Sequence, residues 1–545
     1  MKKIIITIIT ISLFAINACN DSFMEKYPLD KISDMNFWKT ANDIELYANQ
    51  FYPTLFDARV AWYVDDNFSD NQCPSNLSRV AFIWNQYSIP SSGGGWSKGD
   101  WKPIRDCNYA LVRIAMMNKT AEILRGEAEI RFFKTFFYFQ KVKKFGDVPW
   151  LEADLQMNSE ELYKPRDPRK YVMEKMLADI DFAIDNLPST LSTDRLTKYA
   201  ALALKAEICL YEGTFRKYHQ FAGGENELLK QGAEACESII NSGLFSVWST
   251  GNPDKDYFDL FVQYELKGNS EGIMIQRYIT NKRMHNNVRQ LGEPQGGLTK
   301  DFVNTYLCKD GLPISLSPLY KGDAKFMDEF ENRDPRMKQS IYTPDRPYRI
   351  HDNGSVEYRK MPEYHTTTCF TGYKGTKGYS PYERDRIPST STTDDFIFRY
   401  GKLLITYAEI KAELGECTQE ILDKTVNALR DRVAMPHLTV DVGFVDPNWP
   451  NWEIPISPLL NEIRRERRIE TYYEGIRWDD LVRWKAGKLL ENKLTILGAR
   501  DPATGQYRIL YPSFNERKWD DKLYLYPIPL EELVLNDNLT QNPGW

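Results

Sequence analysis

Between Trp62 and Trp96 the chain sets flat rings among side chains that hydrogen-bond. The run reads Trp62-Tyr63, Asp65-Asp66-Asn67, Asn71-Gln72, Trp84-Asn85-Gln86-Tyr87, then Ser91-Ser92-Gly93-Gly94-Gly95-Trp96. A sugar offers one face of C–H groups and an edge of hydroxyls. Indole and phenol rings match the face, and amides and carboxylates match the edge. The three glycines before Trp96 make a turn able to hold that ring outward. Trp62, Tyr63, Asn67, Trp84 and Trp96 are therefore candidate ligand contacts; the alternative is that the tryptophans pack the loops onto a scaffold. A second set lies at Arg277, Tyr278, Asn281, Arg283, His285, Asn286 and Asn287. There Tyr278 and Arg283 are the candidates for bonding hydroxyls or a sugar carboxylate, against a plain solvated loop.

The segment Arg464 to Trp484 looks chemical at first sight. On a helix Glu466, Glu470 and Glu474 fall at steps of four, on one face, with Arg464 and Arg468 as a neighbouring stripe. A carboxylate pair could do acid/base work. Interleaved opposite charges at these spacings instead predict ion-pair ladders, with arginines clamping neighbouring helices. The structural reading is preferred, because 76 acidic residues always allow a pair to be nominated. No HExxH, GxSxG or phosphate-loop motif occurs, and His219, His285, His351, His365 and His437 are too dispersed for a metal triad. No cofactor is expected; Asp-rich loops could hold a structural calcium ion, although no EF-hand spacing exists.

The elements that must position these residues are mainly helical. Glu127 to Val142 carries Ile130, Phe132, Phe133, Phe136, Phe137 and Phe139 at helical steps, and Gly146 and Pro149 stop it. Trp101 to Met117, Lys170 to Leu187, Tyr199 to Tyr211 and Leu228 to Ile240 read as further helices. Alanines 200, 201, 203 and 206 allow one of them a close neighbour. Helical pattern returns at Phe396 to Leu414, Gln419 to Val433 and Pro458 to Glu474, continuing in broken form to Leu490. Helices of this length on short loops predict stacked hairpins of the tetratricopeptide kind, without a clean 34-residue period. Ser246 to Thr392 is rich in Gly, Pro, Asn, Asp and Tyr and reads as a loop-rich insertion with small helices and a few strands, Gly272 to Ile279 among them. Leu523 to Trp545 reads as an extended, proline-punctuated tail. The expected organisation is a signal segment at 1–18, a tether at 19–35 and one domain at 36–545. Its helical scaffold occupies about 36–245 and 393–545, and the insertion about 246–392.

At the N-terminus, Met1-Lys2-Lys3 precedes the apolar run Ile4 to Ile16 and then Asn17-Ala18-Cys19. The run is too short to span a bilayer, which takes roughly 20 residues, and fits a signal peptide. Ala18-Cys19 resembles a lipobox, which predicts cleavage and acylation of Cys19. The other seven of the eight cysteines are scattered with no CxxC, which predicts buried free thiols rather than a disulfide framework or a zinc site. Over 545 residues the net charge is −6, which leaves no electrostatic footprint for nucleic acid.

Several segments carry a family resemblance. Arg125-Gly126-Glu127-Ala128 through Phe145-Gly146-Asp147-Val148-Pro149, Phe398 to Glu409, Ile463 to Trp484 and the ending Pro527-Ile528-Pro529 with Asn538 to Trp545 resemble, in order, signatures of SusD/RagB proteins. The lipobox-like start fits the same family, and only Trp150, where an aliphatic residue is common, departs from it. The resemblance implies a mostly α fold with tetratricopeptide-like helix pairs and no catalytic residues. It implies a cell-surface lipoprotein of the outer membrane that captures a glycan, or in some branches a peptide. The glycan is then passed to a SusC-like TonB-dependent transporter. A surface glycoside hydrolase, or an adhesive or peptide-binding lipoprotein, stands as the alternative.

Overall fold

The computed structural model describes residues 37–57, 65–75, 84, 86–156, 158–192, 195–293, 296–364, 369–511 and 517–545. Helices dominate it. The first, α1 (Ala41–Ala48), starts on a capping box in which Thr40 Oγ1 accepts from the Asp43 amide and Asp43 accepts from the Thr40 amide. Next come α2 (Lys98–Ile114), α3 (Ala121–Phe145), α4 (Arg169–Asn186), α5 (Lys198–His219) and α6 (Glu225–Ile240). Each packs on the one before it in the chain, with α1 also lying on α3, so successive helices form antiparallel hairpins stacked in a row. This is the expected tetratricopeptide-like scaffold.

Sequence explains the stacking. The central helix α3 buries apolar side chains around most of its circumference, including Ile130, Phe132, Phe133, Phe139 and Val142. A helix apolar on all sides must be covered on all sides, and α1, α2 and α4 cover this one. The α5–α6 pair is the tightest. A Cβ on Gly232 would stand 2.9 Å from the Cβ of Cys209, and one on Gly213 would stand 2.8 Å from Leu229 Cγ. Small residues on facing helices thus set the interhelical distance. The scaffold resumes with α7 (Tyr400–Glu413), α8 (Gln419–Lys424), α9 (Val426–Arg432), α10 (Pro458–Glu470) and α11 (Arg477–Arg483), and α7 packs on both α6 and α10. Late in the chain lies the short α12 (Leu530–Leu535).

Three details differ from the periodicity. Phe396 to Leu414 is not one helix: Asp395–Arg399 is a strand that runs directly into α7. Four consecutive residues of it, Phe396 to Arg399, are buried, which over so short a run does not separate strand from helix, and strand pairing decides the outcome. Gln419 to Val433 is broken at Thr425, which adopts φ −123° and ψ −90°. The C-terminal tail is not wholly extended, since it contains α12.

The 246–392 stretch holds loops, short helices and short strands. Gly272–Gln276 pairs antiparallel with Asp395–Arg399, so entry to and exit from this stretch lie side by side. Gln72–Pro74 pairs with Gly296–Leu298 and ties the early loop to it. A tyrosine-rich core, with Tyr306, Tyr342, Tyr348, Tyr373, Tyr379 and Tyr472 fully buried, gives the stretch its own packing centre. Here most aromatic residues are structural. The seven cysteines outside the N-terminal segment are free thiols, six of them buried. Among the described residues no helix is long and apolar enough to cross a membrane.

Candidate ligand-binding cleft

The α10 charges explain themselves first. Within the helix Arg465 pairs with Glu462 at 3.0 Å, but the other charges reach outward. Glu466 meets Arg336 and, at 3.0 Å, Arg430. Glu470 meets Arg432 at 2.6 Å, Arg399 at 2.9 Å and Arg336 at 3.1 Å. Arg464 pairs with Glu413 at 2.8 Å, Arg467 with Asp480 at 2.9 Å and Arg468 with Asp301 at 2.8 Å. Of the two expectations, the arginine clamps onto neighbouring elements carry most of the pairing, and within the helix only the Arg465–Glu462 pair is made. These pairs are buried, where an unpaired charge would be very costly. Burial opposes ionisation of Glu470, yet the guanidiniums of Arg432, Arg399 and Arg336 overcome it and hold the carboxyl well below its ordinary range. A carboxylate held ionised in this way has no proton to give as a general acid near neutral pH.

The sequence-predicted contacts are mostly interior. The three glycines do turn the chain, at φ +75°, +58° and +95°, and the Trp96 amide donates to Gly93 O at 2.9 Å. The turn aims the ring inward, however. Trp96 is 5% exposed and packs edge-on against Trp101 and Phe145, with centroids 5.2 and 4.9 Å away. Trp84 is also buried, edge-on to Tyr511 at 5.1 Å with the Arg517 guanidinium 4.8 Å from its ring. Asn67 is buried and accepts from Gln72 Nε2 at 2.7 Å. Tyr278 is buried edge-on to His285 at 4.3 Å, and its amide donates to Asp394 at 2.8 Å. These four side chains are corrected from ligand contacts to core, because each ring or amide is already consumed by neighbours. Arg283 stays at the surface, partly exposed, its guanidinium 5.8 Å from the Tyr278 ring. Trp62 and Tyr63, like Cys19, lie outside the described residues.

An open, amide-rich and aromatic cleft exists elsewhere, at the N-terminal end of α10. It has a volume of about 590 Å³, within the roughly 300–1,000 Å³ typical of small-molecule sites. One wall is the loop before α10, Asn448-Trp449-Pro450-Asn451-Trp452. This loop is built from a turn on Asp446, whose carboxylate accepts from the Asn448 amide at 2.8 Å and whose carbonyl accepts from the Trp449 amide at 2.9 Å. Burial works against the Asp446 charge, but the Ser315 hydroxyl and the Arg465 guanidinium hold its carboxyl below the usual range. Ser457 then caps α10, accepting from the Leu460 amide at 3.2 Å, with Pro458 in the first turn. The loop is therefore fixed at both ends to the ionic scaffold.

The two tryptophans of the loop differ. Trp452 leans on the protein: its Nε1 donates to Asn461 at 3.0 Å, it stands edge-on to Trp484, and Arg464 lies 4.9 Å from its ring. Trp449 is half-buried and stands with Asn448 and Asn451, both exposed. The same cleft is lined by Asp301, Asn304, Thr305 and Asn492. Asn492 Nδ2 donates to Asp301 at 2.8 Å, and Arg468 donates to Asp301 and Thr305 at 2.8 and 2.9 Å. Asn304 Oδ1 is buried and takes no hydrogen bond from the described residues. The cleft therefore combines one flat ring with a ring of amides and a waiting acceptor. Two grooves of about 840 and 820 Å³ are larger; the first, around Phe258, Tyr342 and Tyr382, is lined by mixed charges as the cleft is but by only two amide side chains, and the second, at Trp38, Met116 and Met117, by one. Among the described residues no group of three or more His, Cys, Asp and Glu is placed to hold a metal ion. The sequence signal for the cleft was present as Trp-Pro-Asn-Trp beside an asparagine; it lay apart from the richer Trp62–Trp96 region.

Fold and cleft together define a helical-hairpin protein with a polar, partly aromatic cleft, and comparison with known proteins gives its family. The SusD family model matches residues 258–545, and a model described as "Starch-binding associating with outer membrane" matches residues 29–210. The chain belongs to the SusD family. It is 27% identical to "SusD-like protein P38" of Formosa agariphila over 530 residues, covering 94% of this chain and 96% of the relative. A solved SusD-like protein of Bacteroides fragilis NCTC 9343 superposes with a TM-score of 0.75 at 25% identity, covering 95% of this chain and all of that one. A second solved structure from the same bacterium is described as a SusD-like carbohydrate binding protein. It superposes with a TM-score of 0.72 at 23% identity, over 92% of this chain and all of the other.

Proposed function

We propose that this protein captures an oligosaccharide in the Trp449–Asn492 cleft without cleaving it, and delivers it to a SusC-like TonB-dependent transporter. It does so as a lipoprotein anchored through Cys19 at the cell surface of the outer membrane. The observation that carries the reading is the cleft itself: a half-buried Trp449 beside the exposed Asn448 and Asn451, lining together with Asn304 and Asn492 a space of about 590 Å³. Stacking of a pyranose C–H face on Trp449 would supply the apolar contact, and the amides would exchange water for sugar hydroxyls at little net cost. The carbohydrate-binding description of a solved relative supports the same ligand class. Non-catalytic capture is supported by the α10 carboxylates, which are spent in buried ion pairs. Arg283, Trp62 and Tyr63 remain proposed further contacts, for a glycan long enough to leave the cleft.

The test is calorimetric titration of the purified protein with a panel of oligosaccharides, followed by chromatography of the same mixtures. Retention of an intact saccharide, weakened by Trp449→Ala, is the expected result. Release of shorter products, or an affinity untouched by Trp449→Ala, would remove the reading.

A further inference from the structure

Among the described residues five cations line the Trp449–Asn492 cleft, and each already faces a carboxylate of this chain. Arg464 pairs with Glu413 at 2.8 Å, Arg465 with Asp446 at 2.7 Å, Arg468 with Asp301 at 2.8 Å and Arg477 with Asp70 at 2.7 Å. The more exposed Lys488 lies 3.6 Å from Glu453. The four guanidiniums are also buried, none of their side chains more than 9% exposed. A guanidinium fork that grips a carboxylate can take an acidic group of a ligand only by releasing its partner. A buried carboxylate left without its cation is costly.

The charge left over at the cleft is negative. Glu491 lines it, is exposed and pairs with no cation among the described residues; its carboxylate accepts from the Trp519 amide at 2.8 Å. A uronate or a sulfate ester would approach this carboxylate with like charge, and the whole chain, at −6, repels in the same sense. The hydrogen-bonding atoms agree. Asn304 Oδ1 is buried and takes no hydrogen bond from the described residues, and a carboxylate such as Glu491 can only accept. Such acceptors need a donor. A sugar hydroxyl donates, whereas an ionised carboxylate or sulfate oxygen cannot. The exposed amides of Asn448 and Asn451 can serve a hydroxyl in either role.

We infer that the cleft takes a neutral oligosaccharide, a chain of hexose or pentose units without uronate or sulfate groups. The inference rests on the capture reading above and narrows its ligand. The test is calorimetric titration of the purified protein and of Trp449→Ala, at low and at high ionic strength. One set of probes is neutral: gluco-, manno-, galacto- and xylo-oligosaccharides. The other is acidic: oligogalacturonates, alginate oligosaccharides and sulfated galactan oligosaccharides. We expect a neutral saccharide to bind, to lose affinity in Trp449→Ala and to be insensitive to salt. The acidic saccharides should bind about tenfold more weakly or worse, and the gap should narrow as salt screens the repulsion. An acidic saccharide that binds as tightly as any neutral one, and loses affinity in Trp449→Ala, would overturn the inference and leave capture in the cleft standing. Binding of neither kind, or binding that Trp449→Ala leaves untouched, would remove both.

Discussion

The two tryptophans Trp96 and Trp449 show how little residue type says about role. Both sit in loops beside turn-forming residues, and both directly precede a helix or its lead-in. What separates them is the destination of the ring. Trp96 fills a slot between Trp101 and Phe145, and Trp449 stays half-open beside two asparagines. Truncation should therefore have opposite signatures. Trp449→Ala should weaken oligosaccharide binding by about 1 to 3 kcal/mol, as loss of a stacking ring does, with an unchanged urea midpoint. Trp96→Ala should leave the affinity of the folded fraction intact and cost about 3 to 5 kcal/mol of stability through the cavity it creates. The sequence named the residue types a glycan site needs but could not tell that the rings of Trp84 and Trp96 are buried, because inward and outward rings are distinguished only by contacts made in the fold.

At the scale of elements, the helices were legible and their charges were not. Apolar spacing located α3 to α6, since burial of one face is a local pattern, but it missed the first turns of α3, which starts at Ala121, and the last turns of α5, which runs on to His219. The charges on α10 depend on Arg336, Arg399, Arg430 and Arg432, which lie well before it in the chain and meet it only in the folded state. No spacing rule within one helix could reveal them. Glu470→Ala removes the carboxylate shared by three buried guanidiniums, leaving Arg432 to Glu271, Arg399 to Glu271 and Glu474, and Arg336 to Asp334 and Glu466, and should cost about 3 kcal/mol, read as a lowered denaturant midpoint. The joint between α5 and α11 offers a pH test. His219 donates through Nε2 to Val482 O at 2.7 Å and stacks on Phe215 at 4.0 Å, and burial pushes its pKa from 6.5 down to about 4. A base depressed in the folded state contributes fully above pH 6.5 and loses that contribution as pH falls toward 4. The stability difference between wild type and His219→Gln should therefore shift against wild type by up to about 3 kcal/mol over that window. Measuring both proteins at each pH cancels the other groups, including Asp66, whose pKa burial raises to about 6 and which acts in the opposite sense. Equal pH profiles would remove His219 as the cause.

For the whole molecule, the proposed capture and the proposed anchorage fall on separate parts of the chain. The scaffold is closed on itself. Its C-terminus is stitched back by Asn542, whose Nδ2 donates to Phe145 O and Tyr526 O at 3.0 and 2.7 Å, and by Trp545 Nε1 bonding Leu525 O at 2.9 Å. The cleft is built from α10, its preceding loop and the 301–305 and 488–494 segments, far along the chain from Cys19. Nothing in the cleft depends on the lipid. The proposed acylation of Cys19 would contribute only membrane affinity, about 0.8 kcal/mol for each buried methylene. Cys19→Ser should therefore move the protein from the membrane pellet to the soluble fraction while leaving its oligosaccharide dissociation constant unchanged. Cells carrying it should lose growth on that glycan, because a freely diffusing binder holds its ligand away from the transporter instead of beside it. If Cys19→Ser stays in the pellet, the anchor is not the lipid. If it is soluble yet supports normal growth, tethering adds nothing to delivery, and the high local concentration beside the transporter is not what the N-terminal segment provides.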